Sequence, residues 1–169
     1  MQRVMIIGAG GAGKSTLARQ VGARTGLPVI HLDAEYWHAG WVPTPDVEWR
    51  ARVSALAGGE RWVMDGNYGG TLDLRLARAD TVVFLDLSRR ATMWGVLRRW
   101  LAHRGRTRPD MAPGCPEQMS WEFLRWVWEY PRTRRPQMLR RLGELPPGTR
   151  PVVLRSRAEV ARWLATLER

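Results

Sequence analysis

Short runs of apolar residues alternate along this chain with longer stretches in which apolar residues recur every three or four positions. The runs are short and mainly apolar, and lie at 3–7, 28–32, 61–64, 81–85 and 151–154. Such runs are typical of strands that are buried on both faces of a parallel sheet. The helical spacing predicts helices at 14–25, after 45, at 71–78, 90–103 and 121–130, before 146 and after 156. This alternation predicts an α/β fold, a five-stranded parallel sheet with helices on both faces.

Capping residues mark two of the predicted helix starts. Thr44 is predicted as an N-cap because Pro45 and Asp46 follow it in positions typical of a first helical turn. Ser156 and Glu159 have the spacing of a capping box, which predicts the start of the last helix. Two segments lack such patterns: 37–43 is predicted as loop, and 104–117, rich in Arg, Pro and Gly, as a loop or mobile flap.

The segment between the first strand and the first helix, GAGGAGKST at 8–16, matches two motifs. Gly8, Gly10 and Gly13 have the spacing of the dinucleotide fingerprint, and Asp33 lies at the distance where that motif has an acid. The same segment matches G-x-x-x-x-G-K-S, the phosphate loop of nucleoside triphosphatases. The dinucleotide motif has no use for the final Lys-Ser-Thr, so the sequence favours the phosphate loop.

Lys14 supports this choice because it is the only lysine among 27 basic residues. An ammonium is a compact point charge and a guanidinium a planar fork, so arginine does not replace lysine at a tight phosphate site. In a phosphate loop Lys14 reaches the β- and γ-phosphates, and the Ser15 hydroxyl ligates Mg²⁺. The sequence therefore predicts binding of ATP or GTP with Mg²⁺ by Gly8, Gly10, Gly11, Ala12, Gly13, Lys14, Ser15 and Thr16.

Three aspartates follow predicted strands directly. Because the carboxyl ends of parallel strands border the ligand crevice, each is a candidate functional residue. Asp65 is predicted to support Mg²⁺, with a turn or capping role as the alternative. Asp33 is predicted as a general base or acceptor-side carboxylate, with helix capping as an equal alternative. Asp86 is expected to anchor the turn into the next helix.

Arginines near the flap are candidates for neutralising charge during phosphoryl transfer. Arg99, Arg104 and Arg108 are predicted as catalytic, and a solvated basic surface is the alternative for each. Arg75 and Arg78 follow the DGNYGG segment, where they reach either an acceptor phosphate or the surface.

Composition limits the remaining choices. With 169 residues, 44% of them hydrophobic, the chain suits one domain over 1–169. The net charge of +11 suits a protein that binds nucleic acid and equally one that binds phosphorylated ligands. Interleaved Trp and Arg also suit single-stranded nucleic acid. Cys115 is the only cysteine and no apolar run reaches membrane-spanning length, so we expect a cytoplasmic protein without membrane contact.

Several segments in order resemble one family: GAGGAGKST, HLDAEYW, WVMDGNY, TVVFLDLSRR, RTRPDMAPGCPE and WEFLRWVWEYPRTRRP. The chain resembles the DNA topology modulation proteins, small phosphate-loop proteins that look like adenylate kinases. The resemblance implies a nucleoside-monophosphate-kinase-like fold with strand order 2-3-1-4-5. It also implies an acceptor-binding helical region at about 34–59, a lid at about 104–118, and Asp65 as the aspartate that supports Mg²⁺. Adenylate kinases continue Asp-Gly with Phe-Pro-Arg, and this chain continues with Asn67-Tyr68-Gly69, so the acceptor is not predicted to be AMP.

The leading hypothesis is thus an ATP-binding, Mg²⁺-dependent phosphotransferase or ATPase of the adenylate-kinase-like type, acting on a small-molecule or nucleotide acceptor. The alternative is a nucleic-acid-binding regulator of DNA topology that uses nucleotide only as a switch. A dinucleotide-dependent oxidoreductase is the third hypothesis.

Overall fold

The computed structural model describes residues 1–167 and contains a central sheet with five strands. The strands of this sheet are β1 (Arg3–Gly8), β2 (Val29–His31), β5 (Trp62–Asp65), β6 (Thr81–Leu85) and β7 (Arg150–Leu154). Two further short strands, β3 (Trp37–His38) and β4 (Val42–Pro43), form a hairpin beside it.

Helices fill the connections between the strands of the central sheet. They are α1 (Lys14–Thr25), α2 (Leu32–Tyr36), α3 (Asp46–Gly58), α4 (Leu72–Leu76), α5 (Arg89–His103), α6 (Trp121–Thr133), α7 (Arg135–Gly143) and α8 (Arg157–Ala165). A single 3₁₀ turn, Gly69–Thr71, precedes α4. None of the helices in residues 1–167 is long and apolar enough to cross a membrane.

The strand order is β2-β5-β1-β6-β7, and all pairings in this sheet are parallel. Counting only the five strands of the sheet, this is the order 2-3-1-4-5, so the predicted fold class is confirmed. In a dinucleotide-binding sheet the second strand lies directly beside the first. Here β5 separates β2 from β1, which argues against that interpretation of the glycine loop.

The apolar runs become strands because both faces of the sheet are covered. One buried cluster on one face includes Met5, Trp62 and Phe84, and a second cluster includes Ile6, Val63 and Leu154. β5 and β6 are buried along their whole length. This burial fixes the carboxyl ends of β1, β2, β5 and β6, and those ends carry the candidate site.

Two local predictions differ from the structure around the β3–β4 hairpin. Residues 37–43, predicted as loop, form this hairpin, in which Trp37 pairs with Pro43. Thr44, predicted to cap α3, instead donates its hydroxyl to the carbonyl oxygen of Tyr36 (2.6 Å), and Pro45 precedes the helix. The Thr44 hydroxyl is therefore bonded at the base of the hairpin and does not cap α3.

Candidate functional site

The phosphate loop, residues 8–16, connects β1 to α1 and lies beneath two crossing helices. A Cβ atom on Gly11 would lie 2.2 Å from the carbonyl oxygen of Thr92 in α5, and one on Gly10 would lie 2.7 Å from the Phe123 ring in α6. Gly13 has φ +94° at the start of α1, a conformation that L side chains rarely adopt. The glycines are therefore required by packing as well as by the curvature of the loop.

Lys14 lies at the start of α1 and folds back over the loop. Its Nζ donates to the carbonyl oxygens of Gly8 (3.0 Å) and Ala9 (3.1 Å). Burial lowers the pKa of Lys14, and the carboxylates of Asp33 and Asp65 oppose this change. The ammonium is thus held at the mouth of the loop between two strand-end carboxylates.

Ser15 and Asp65 lie together, as the predicted metal site requires. The Ser15 hydroxyl donates to Oδ2 of Asp65 (2.8 Å), while His31 Nδ1 lies 2.5 Å from Oδ1. Burial opposes the charged form of His31, but the hydrogen bond and charge of Asp65 outweigh it and raise the His31 pKa. Burial opposes the charged form of Asp110, but Arg108 and Ser15 outweigh it and lower the Asp110 pKa, so a residue of the predicted lid reaches the same place.

These oxygens fit Mg²⁺, which keeps several waters and takes few protein ligands beside nucleotide phosphates. Within residues 1–167 no group of three or more His, Cys, Asp or Glu side chains is placed to hold a metal ion alone. A metal at Ser15 and Asp65 would therefore depend on phosphate oxygens of a bound nucleotide.

Asp33 lies in α2, directly after β2, and is held by Tyr68. The Tyr68 hydroxyl donates to Asp33 Oδ1 (2.7 Å). Burial and the Asp33 charge raise the pKa of Tyr68 well above its ordinary value, so this hydroxyl stays a donor. Asn67, the preceding residue, accepts a hydrogen bond from the amide of Gly8 (3.1 Å) and donates one to its carbonyl (2.9 Å). The Asn67–Tyr68 pair thus connects the phosphate loop to Asp33.

Arg75, one of the two arginines considered for an acceptor phosphate, has a different role. It is fully buried, and its guanidinium donates to the carbonyl oxygens of Gly66 (2.8 Å), Asn67 (2.6 Å) and Tyr68 (3.0 Å). Burial lowers the pKa of Arg75 to about 10. Arg75 therefore supports the turn that places Asn67 and Tyr68, and it does not face the site.

Replacing Arg75 with methionine is expected to lower the free energy of unfolding by about 2–4 kcal/mol, because the carbonyl oxygens that it bonds lose their donor. Urea denaturation measures the change. Arg78→Met is the matched control, since Arg78 is exposed and its one long contact is to the Gly58 carbonyl (3.4 Å). A loss for Arg75→Met no larger than that for Arg78→Met would contradict the supporting role.

Two adjoining cavities open at the carboxyl ends of the strands. The first, here called the phosphate cavity, has a volume of about 410 Å³ and includes Gly11 and residues 13–16 of the phosphate loop in its wall. The second, here called the aromatic cavity, has a volume of about 480 Å³ and is walled by five aromatic side chains: Trp37, Trp41, Tyr68, Phe123 and Trp126. Four residues line both cavities: Lys14, Asp33, Arg99 and Arg108. The shared residues lie at the boundary, where a group moving between the cavities would pass.

Arg99 and Arg108 are held at this boundary by carboxylates. Arg99 Nε lies 2.9 Å from Oε1 of Glu117, and Arg108 Nε lies 2.6 Å from Oε2 of the same residue. Arg108 Nη1 also bonds Asp110 (2.7 Å). Glu117 and Arg108 are both buried. The alternative of a solvated basic surface therefore does not apply to these two arginines.

Arg104, the third predicted catalytic arginine, lies elsewhere. It is exposed, with its guanidinium carbon 5.1 Å from the centre of the Trp100 ring, and it lines neither cavity. Asp86 also lies outside both cavities and accepts two hydrogen bonds from Arg135 (2.6 and 2.8 Å), which anchors the start of α7 to the end of β6.

The segment between α5 and α6 covers the site together with the β3–β4 hairpin. The amide of Gly40 donates to the carbonyl of Gly114 (2.9 Å), and the Trp41 indole donates to that of Pro116 (3.2 Å). Cys115 is buried and its Sγ lies 3.1 Å from the carbonyl oxygen of His38. The two covering segments are therefore joined to each other over the aromatic cavity.

Sequence reasoning missed several residues of the site. Arg157, which lies between the predicted capping-box residues Ser156 and Glu159, donates to the carbonyl of Ala12 (2.9 Å) and lines the phosphate cavity. Gly95 lets α5 cross the loop, because a Cβ there would lie 2.1 Å from the carbonyl oxygen of Gly11. A glycine inside an amphipathic helical pattern was the one available signal for a close approach.

Comparisons with known proteins agree with this architecture. No protein-family model and no curated protein matches the sequence. Among solved structures, deoxyadenosine kinase from M. mycoides with bound dATP has a TM-score of 0.57 at 13% identity, covering 98% of this chain and 99% of that chain. Shikimate kinase from Bacteroides thetaiotaomicron has a TM-score of 0.52 at 17% identity, with coverages of 99% and 96%. A sugar kinase from Janibacter sp. HTCC2649 has a TM-score of 0.52 at 19% identity, with coverages of 99% and 95%.

Identities this low establish a shared architecture and leave substrates to be argued from the site. The matches to the deoxyadenosine kinase and the shikimate kinase extend over 98% and 99% of this chain, so they include its parallel sheet and the segments that cover it. The chain therefore has the fold of the phosphate-loop kinases.

Proposed function

We propose that this protein is a phosphotransferase that moves the γ-phosphoryl group of ATP or GTP to an acceptor in the aromatic cavity. The observation that carries the proposal is the boundary between the two cavities. Lys14, Asp33, Arg99 and Arg108 line both, so a phosphate donor and an acceptor would meet among one ammonium, one carboxylate and two guanidiniums. That set suits phosphoryl transfer, in which catalysis is mostly positioning and charge stabilisation.

Each predicted site residue has a role in the proposal. The phosphate loop from Gly8 to Thr16 and the Lys14 ammonium bind the nucleotide phosphates, and Ser15 and Asp65 support Mg²⁺, which neutralises phosphate charge when bound. Asp33 faces the acceptor. Arg99 and Arg108 stabilise charge on the transferring group. Arg104 would join them only if the proposed lid, residues 104–118, rearranges; in the present arrangement Arg104 is exposed.

The proposed nucleotide dependence is tested by calorimetric titration of ATP, GTP and NAD, with Mg²⁺ and with excess EDTA. We expect a triphosphate to bind with Mg²⁺ at least about tenfold more tightly than in EDTA, because the metal shares the phosphate charge. We expect no binding of NAD. Formation of ADP or GDP is then followed in a coupled assay. Absence of triphosphate binding at millimolar concentration would refute the proposal.

A second candidate function is a nucleotide-switched nucleic-acid-binding regulator, as membership of the DNA topology modulation family would suggest. Exposed tryptophans beside arginines favour it: Trp128 is half-exposed, with the Arg89 guanidinium carbon 4.5 Å from its ring centre, and Trp121 is exposed. Aromatic and basic side chains together suit single strands. Affinity for single-stranded DNA, measured over a salt series, should fall steeply with salt. No binding at low salt would remove this candidate.

A further inference from the structure

We infer that the acceptor is an uncharged ring compound that presents a hydroxyl group to Asp33 and places its ring among the aromatic side chains of the second cavity. This inference rests on the proposed phosphotransferase function and names its acceptor class. It separates the protein from kinases whose acceptor already carries a phosphate. The argument comes from the distribution of charge in the aromatic cavity.

The positive charges of the aromatic cavity lie only at its boundary. Among the described residues that line it, the cations are Lys14, Arg99 and Arg108, and all three also line the phosphate cavity. The rest of the wall has uncharged polar groups and aromatic rings beside Glu117. A phosphate on the acceptor would need a cation deeper in the cavity, because burying an unpaired charge is costly.

The boundary arginines are also matched by negative charge. Glu117 contacts both Arg99 (2.9 Å) and Arg108 (2.6 Å), and Asp110 contacts Arg108 (2.7 Å). A second phosphate would have to displace one of these buried carboxylates. Arg75, which follows the Asp65-Gly66 turn, is occupied by backbone carbonyl oxygens and is absent from the wall.

Aromatic side chains form two pairs on the wall of the cavity. Trp37 and Trp41, from the β3–β4 hairpin, have ring centres 5.4 Å apart. Phe123 and Trp126, from α6, are nearly parallel, with an interplanar angle of 21° and centres 5.9 Å apart. Flat apolar walls with few polar groups bind planar rings or the apolar faces of sugar rings. The cavity volume of about 480 Å³ admits a molecule of nucleoside or sugar size.

Asp33 is the carboxylate that lines both cavities, whereas Glu117 lines only the aromatic cavity and Asp110 only the phosphate cavity. Tyr68 donates to Asp33 Oδ1, which orients the carboxylate and leaves Oδ2 for an acceptor hydroxyl. The acceptor oxygen then forms a bond to the γ-phosphorus, and the bond from that phosphorus to the β,γ-bridging oxygen breaks. The hydroxyl proton passes to Asp33, and the nucleoside diphosphate leaves. Tyr68 acts here as a positioning residue.

The acceptor class is tested with paired probes: adenosine and AMP, thymidine and TMP, glucose and glucose 6-phosphate. Each is incubated with the full chain, Mg²⁺ and ATP, and phosphorylated product is measured by mass spectrometry beside ADP. We expect at least one neutral compound to be phosphorylated at least about tenfold faster than its phosphate ester, since only the ester brings an unpaired charge. Preference for the esters, or ATP turnover that no neutral compound increases, would overturn the inference.

A charge variant tests the electrostatic argument within each pair of probes. Gln118 is exposed at the rim of the aromatic cavity, so Gln118→Arg adds a cation there with little risk to folding. We expect it to shift the ratio of rates for ester over neutral compound upward by at least about threefold. An unchanged ratio would contradict the electrostatic argument. If wild type neither binds ATP nor forms ADP, the proposed function itself fails, whatever the acceptor.

Discussion

Replacing Lys14 with alanine is expected to reduce nucleotide turnover by about 10²–10³-fold, the loss typical when one preorganised donor to developing phosphate charge is removed. Lys14 is the only cation of the phosphate loop, and no other lysine exists to substitute for it. Its ammonium lies 3.0 Å from the Gly8 carbonyl and faces the boundary between the cavities. Steady-state formation of ADP or GDP, with and without an acceptor, measures the loss.

The variants that accompany Lys14→Ala separate charge from geometry. Lys14→Arg keeps the charge, but its planar guanidinium is too large to repeat both carbonyl contacts, so we expect it to be nearly as inactive as the alanine variant. Arg132→Ala removes an exposed charge near the end of α6 and should leave turnover within about twofold of wild type. Turnover of Lys14→Ala within about threefold of wild type would refute the role of this residue.

The sheet was predictable because its signal is local. β6 was predicted with the observed bounds and β1 to within one residue, since short apolar runs bounded by Gly or Asp are typical of strands in a sheet that is buried on both faces. The phosphate loop followed from nine consecutive residues, and its contact with Asp65 followed from the rule that strand carboxyl ends meet at one edge. Each of these inferences needed only neighbours in sequence or a general rule of topology.

The second layer of the site could not be predicted, because it depends on contacts between distant segments. No pattern in the sequence predicts that Arg75 is buried, since its burial depends on carbonyl oxygens that face inward only after the turn at 66–68 has formed. Arg157 reaches Ala12 across 145 positions. The pairing of Arg99 and Arg108 with Glu117 depends on how residues 104–117 fold back. Of the three candidate arginines, therefore, only the structure distinguishes two at the boundary from Arg104 on the surface.

Gly95→Ala is expected to lower phosphoryl transfer or ATP hydrolysis by at least about 100-fold, because a displacement near 1 Å in a catalytic constellation has an effect of that size. The added Cβ would lie 2.1 Å from the carbonyl oxygen of Gly11 and 3.2 Å from its Cα. Both atoms are backbone, so no side chain can rotate away. Either α5 or the phosphate loop must move, and overpacking of this kind also destabilises by about 1–3 kcal/mol. Turnover and urea denaturation measure the two effects.

Gly58→Ala is the matched control, since Gly58 ends helix α3 and a Cβ there meets no atom within 4 Å. Alanine favours the helical state over glycine, so this variant should be stabilised by up to about 1 kcal/mol with unchanged turnover. The comparison holds the chemical change constant and varies only the contact with the loop. If Gly95→Ala retained wild-type turnover, α5 would not fix the loop, and the positions of Arg98 and Arg99 on the same helix would need another explanation. If turnover fell while the free energy of unfolding stayed unchanged, the phosphate loop, and not α5, would be the element that moves.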